Sequence, residues 1–105
     1  MDYTAISADN FAATEGLNDW ACSGHHIVAK YGLESFVEAA QFVLEIARAA
    51  THADHHPDIS LSYPATVQVV LTTHAIGGLS HLDIELARVI ARLAVDASAN
   101  PVADH

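Results

Sequence analysis

Four of the eight histidines fall between Thr51 and His74, in the stretch THADHHPDISLSYPATVQVVLTTH. They are His52, His55, His56 and His74, and His55 and His56 stand side by side just before Pro57. Imidazole is the side chain whose ordinary pKa, about 6.5, lies nearest neutral pH. Two facing imidazoles can share the taking and giving of a proton, and the charging of one disfavours the charging of its neighbour. A metal site is the other chemistry such a cluster could support. His52 and His56, four residues apart, could share a helix face and an ion. No carboxylate or cysteine completes a familiar ligand spacing around them, so the expectation is a site without metal. The bland alternative is a set of polar residues at a strand end.

The elements that must position these residues follow from hydrophobic periodicity. Ile59, Leu61 and Tyr63 alternate with Asp58, Ser60 and Ser62, while Val67, Val69 and Leu71 alternate with Gln68, Val70 and Thr72. A turn at Pro64-Ala65-Thr66 would join the two strands into a hairpin. If Tyr63 pairs with Thr66, His55 faces His74. If the turn is one residue longer, His56 faces His74. Either register draws imidazoles together at one end of the hairpin, where paired Cβ atoms are about 5 Å apart. His74 shares the parity of Gln68, Val70 and Thr72 and should leave the face on which helices pack. Pro57 fixes the exit from the pair, and Ser60, Ser62, Gly77 and Gly78 leave room for a flat ligand.

Two helices flank the hairpin. In the first, Ser35 and Glu38 have capping-box spacing, and Phe36, Ala39, Ala40, Val43, Ala47 and Ala50 form the expected apolar stripe, ending near residue 51. In the second, Ser80 and Asp83 repeat the capping box after Gly77-Gly78, and Leu82, Leu86, Val89, Ile90 and Leu93 form the stripe. HHIVAKY (25–31) reads as a strand entered through a Ser23-Gly24 turn, and residues 7–15 have weak helical potential. The order implies an α+β fold with helices on one face of an antiparallel sheet. A single domain over 1–96 followed by a flexible tail over 97–105 is expected.

The residues His55-His56-Pro57-Asp58, Tyr63, Thr72-Thr73-His74, Gly77-Gly78-Leu79-Ser80 and Asp83 closely resemble the signature of pterin-4a-carbinolamine dehydratases. Leu17, Trp20, Phe36, Ala40 and Phe42 fit the same pattern, so the resemblance covers roughly residues 15–95. It implies a four-stranded antiparallel sheet with about three helices, assembled as a homodimer or homotetramer. It also implies dehydration of a 4a-hydroxytetrahydropterin to the quinonoid dihydropterin, with neither metal nor organic cofactor. By position, His55 and His74 correspond to the acid–base pair. His56, Asp83, Pro57 and Thr73 correspond to substrate-binding positions, with Asp83 in place to orient a histidine. The family commonly has an acidic residue four before the first histidine, where this chain has Thr51, and the segment from Tyr63 to His74 is one residue longer than usual. Some proteins of this resemblance have left catalysis; one group serves as a Rubisco assembly factor in α-carboxysomes, which makes Rubisco the alternative partner.

Composition narrows the rest. The chain has 105 residues, half of them hydrophobic (51%), enough for one core. Its formal charge of −9 disfavours nucleic acid and anionic lipid as partners. One cysteine, Cys22, precludes an intrachain disulfide and has no local basic partner to activate it. No apolar run approaches a bilayer span, and Met1-Asp2-Tyr3 does not resemble a basic signal peptide, so cytoplasmic residence is the expectation. His25, His26 and His81 are expected at the surface, and Trp20 and Phe42 in the core.

Overall fold

The computed structural model describes residues 5–7, 10–11 and 16–102. Strand β1 (Trp20–Ser23) turns through Gly24 into β2 (His26–Gly32), which leads to helix α1 (Phe36–Ala53). The hairpin β3 (Asp58–Ser62) and β4 (Thr66–Leu71) follows, then a 3-10 turn at His74–Ile76, helix α2 (His81–Asp96) and the short strand β5 (Asn100–Pro101). The sheet is antiparallel in the order β1-β2-β4-β3, with β5 also on β2. The fold is thus α+β, with two long helices among the described residues. Asn10 and Phe11 are helical too, while most of the weakly helical stretch expected over 7–15 lies outside the described residues.

Period-two burial makes the sheet two-faced. Ile27, Ala29, Tyr31, Val67, Val69 and Leu71 are buried, and their neighbours Val28, Lys30, Gln68 and Val70 are only half-buried. The helices cover the buried face, where the Tyr31 and Phe42 rings meet edge to face at 5.4 Å. Tyr31 points its hydroxyl to Asp19 at 2.9 Å. Trp20 and Phe42 are core residues, as expected.

Helix α1 begins where Ser35 accepts a hydrogen bond from the Glu38 amide. Its buried stripe is Ala39, Phe42, Ile46 and Ala50, not the stripe built on Phe36, Ala40 and Ala47. α1 carries apolar residues on more than one face, and sheet packing selects the face with the larger side chains, Phe42 and Ile46. Phe36 consequently remains 51% exposed. α2 buries Ile84, Leu86, Ala87, Ile90 and Ala94 behind a complete Ser80–Asp83 capping box, while Val89 stays outside.

The hairpin register corrects both sequence alternatives. Ser62 pairs with Thr66 and Asp58 with Val70, so Tyr63-Pro64-Ala65 form the turn. A two-residue loop starting at Pro64 would need positive φ at its first or both positions, which a proline ring forbids. Tyr63 therefore leaves the apolar face and stands 90% exposed at the tip. Near the same end of the sheet, the stretch expected as a tail pairs Asn100 and Pro101 with Gly32 and Tyr31, and Val102 donates its amide to the Lys30 carbonyl at 2.8 Å.

Candidate functional site

Three chain segments converge at the end of the sheet opposite the hairpin tip. The first leaves α1. Asp54 caps the helix in the left-handed region (φ 52) and returns its amide to the Ala50 and Thr51 carbonyls. The His55 amide also bonds to the Ala50 carbonyl, at 3.1 Å. The helix end therefore fixes where the His55 side chain starts. Pro57 holds His56 extended on the way into β3.

The second segment leaves β4. Thr72 donates its hydroxyl to the His25 carbonyl at 2.6 Å, tying the β1–β2 turn to the site. Thr73 donates its backbone amide to the Gly78 carbonyl at 2.9 Å, closing a small loop around the 3-10 turn that presents His74. Gly77 ends that turn at φ 61, where a side chain would be strained. The third segment is the start of α2, with Ser80 as N-cap and Asp83 in the first turn.

These segments meet on Asp83, which is 0% exposed. Its Oδ2 accepts from the Ser80 amide at 2.9 Å and from the Thr73 hydroxyl at 2.8 Å. Its Oδ1 lies 2.6 Å from His55 Nε2. The Thr73 and Ser80 hydroxyls are themselves 2.6 Å apart. The His55 side chain keeps 10% exposure, whereas His56 and His74 are exposed. His55, His56, Thr72, Thr73, His74 and Leu82 line a cleft of about 270 Å³. That is close to the lower end of the roughly 300–1,000 Å³ of small-molecule pockets, a size for one compact ligand. A larger depression of about 590 Å³ between α1 and α2 is lined by Glu38, Phe42, Glu45, Leu93 and Asp96, and lacks histidine.

The structure thus brings His55, His56 and His74 together, although the ladder stops at Asp58–Val70 and none of the three is a cross-strand partner of another. Convergence comes from the helix end and the 3-10 turn. Asp83 and Thr73, expected at ligand-binding positions, are nearly or fully shut off from solvent and face each other, with Thr73 only 3% exposed; Asp83, expected also to orient a histidine, faces His55. Pro57 is half-buried and serves the backbone path. Thr51 is exposed, and the carboxylate beside His55 comes from Asp83 on the other helix. Ser80, which the sequence offers only as a helix cap, also belongs to the polar network; its Ser-x-x-Asp spacing is the one sequence signal that links it to Asp83. Among the described residues, no three His, Cys, Asp or Glu side chains are grouped to hold a metal ion. No described helix is long and apolar enough to cross a membrane.

A small α+β domain whose helix cap doubles as the partner of a cleft histidine defines a class, and comparison with known proteins gives the family. Residues 4–93 match the model of the pterin 4 alpha carbinolamine dehydratase family, and the chain belongs to that family. A relative from Koribacter versatilis, named provisionally as a pterin-4-alpha-carbinolamine dehydratase, is 40% identical over 83% of this chain and 92% of its own. One from Nocardia farcinica, named in the same way, is 43% identical over 87% of this chain and 97% of its own. A solved structure described as a transcriptional coactivator/pterin dehydratase from Brucella melitensis superposes with a TM-score of 0.78 at 29% identity, covering 87% of this chain and 99% of that one. A pterin dehydratase-like protein described as a RuBisCO assembly factor in the alpha-carboxysome superposes at 0.58 with 16% identity, over 71% of this chain and 86% of that one; this likeness concerns the fold alone.

Proposed function

We propose that the chain dehydrates a 4a-hydroxytetrahydropterin to the quinonoid dihydropterin, with His55 and His74 as the acid–base pair. The observation that carries this is the 2.6 Å contact between His55 and the fully buried Asp83, at the wall of a cleft that also holds His56 and His74. In the reaction the bond from C4a to the hydroxyl oxygen breaks, the ring nitrogen N5 gives up its proton, and a C4a–N5 double bond forms. The hydroxyl leaves as water after receiving a proton. One imidazole takes the N5 proton and another supplies the proton to the hydroxyl, and a proton passed from the first to the second through solvent returns the pair to its starting state. His55 suits such work because Asp83 fixes its ring and lies opposite any charge the ring acquires. His56, at the exposed mouth, orients the ligand.

The test is steady-state dehydration of a 4a-hydroxytetrahydropterin by the purified wild type, His55→Ala and His74→Ala. Each variant should be slower by about a hundredfold or more, the usual contribution of a positioned acid or base. Wild-type turnover no faster than the uncatalysed background would sink the proposal and favour a binding module on the same fold.

A further inference from the structure

We infer that Thr73, backed by Ser80, is a positioning residue that sets which nitrogen of His55 faces the cleft. The argument is a count of protons in the buried network. The Ser80 amide can only donate, and it does so to Asp83 Oδ2 at 2.9 Å. Ser80 Oγ accepts the Leu82 amide at 3.2 Å, which leaves its own proton for Thr73 Oγ at 2.6 Å. Thr73 then spends its single hydroxyl proton on Asp83 Oδ2 at 2.8 Å. The reverse direction would turn a lone pair of Thr73 against the carboxylate. Every proton thus runs toward Asp83, and Oδ2 is filled by two donors. Oδ1 is left for His55, 2.6 Å away. Imidazole is ordinarily a stronger base than a carboxylate, so the proton between them rests on the ring. His55 donates through Nε2, and Nδ1 carries the free lone pair.

Thr73 is separable from the fold in a way that Ser80 and Asp83 are not. The capping box of α2 is complete with Ser80 and Asp83 alone. Thr73 reaches the carboxylate from the end of β4, across an element boundary, and its hydroxyl contributes nothing to the cap. Its function is to hold the carboxylate rotation that dedicates Oδ1 to His55. Resting on the dehydratase proposal, this divides the acid–base pair. The Nδ1 lone pair of His55 accepts the N5 proton, so the proton for the departing hydroxyl comes from the exposed side of the cleft, where His74 stands.

The experiment uses full-length protein labelled with 15N at histidine. Long-range 15N–1H correlations identify the His55 tautomer at neutral pH in the wild type, Thr73→Val and Thr73→Ser. The wild type should show His55 protonated at Nε2 alone. Thr73→Val, of the same shape without a hydroxyl, should show mixed tautomers and a kcat about tenfold lower, with KM within about twofold, the pattern of an interaction that acts after binding. Thr73→Ser should restore both. A wild-type His55 protonated at Nδ1 alone would overturn the inference, and so would Thr73→Val with an unmixed Nε2 tautomer. If Thr73→Val fails to fold, Thr73→Ala takes its place. The tautomer is read without turnover, so an inactive wild type with the expected tautomers would refute the dehydratase proposal and leave the role of Thr73 standing.

Discussion

Replacing Asp83 by Asn keeps the shape of the side chain and removes its charge. In the folded protein Asp83 accepts three hydrogen bonds, from His55, Thr73 and the Ser80 amide, at 0% exposure. An asparagine oxygen in the Oδ2 position can still accept from Thr73 and Ser80. Its amide group then faces His55 and demands an acceptor there, which moves the ring proton to Nδ1 and removes the free lone pair. Bonds to a charged acceptor contribute about 1 kcal/mol more than neutral ones, so three of them amount to about 3 kcal/mol. Removing a buried charge relieves desolvation and offsets part of this, leaving a net loss of about 1–2 kcal/mol. At roughly 4–8 °C per kcal/mol for a domain of this size, melting should fall visibly while the protein still folds at room temperature. Turnover should suffer more, by about 10²–10⁴, the range for a base lost to the wrong tautomer. Thermal melts and dehydratase kinetics on one preparation check both numbers. A variant as stable as the wild type and within about threefold of its rate would refute the assignment of Asp83 as the partner of His55.

Thr51→Glu should change the dehydration rate by less than about threefold, because Thr51 is exposed and Asp83 already supplies the carboxylate beside His55. Phe42→Ala should cost about 3–5 kcal/mol in urea unfolding, and Phe36→Ala under about 1 kcal/mol, since Phe42 is 2% exposed and Phe36 is 51% exposed; similar losses would refute the buried face of α1. Burial, and then the hydrogen bond and charge of Asp19, push the Tyr31 hydroxyl well above the ordinary tyrosine range. The folded chain therefore holds this proton where the unfolded chain releases it, so the stability it provides is full below about pH 10 and declines above it. Tyr31→Phe should flatten that alkaline decline in chemical denaturation, and an unchanged slope would exclude Tyr31 as its source.

The strands of the hairpin, the two capped helices and the histidine cluster are legible in the sequence because each rests on local periodicity or on a short motif. Register is less legible. It depends on how Pro64 fits a turn, and a shift of one residue changes every partner. The face of α1 is ambiguous for another reason: apolar residues occupy Phe36, Ala40 and Ala47 as well as Ala39, Phe42 and Ile46, and only the sheet chooses between them. The role of Thr73 is invisible in sequence, since its partners lie seven and ten residues away across a loop whose path no periodicity predicts. Asp83 shows the converse limit. Its capping role is readable from Ser80 three residues earlier, whereas its contact with His55, 28 positions upstream, comes from no local spacing and is suggested only by the family resemblance, which puts Asp83 in place to orient a histidine.

Because the carboxylate that starts α2 is also the one that holds His55, the integrity of the site and the first turn of that helix rise and fall together. Fraying of that turn withdraws Asp83 from the imidazole in the same motion, with no need for the rest of the domain to open. The Ser80 amide, bonded to Asp83 Oδ2, is then a built-in reporter. Its exchange with deuterated solvent measures how often the site comes apart. A ligand that engages His55 while the dyad is intact should slow that exchange in proportion to its occupancy, without touching Ser80 itself.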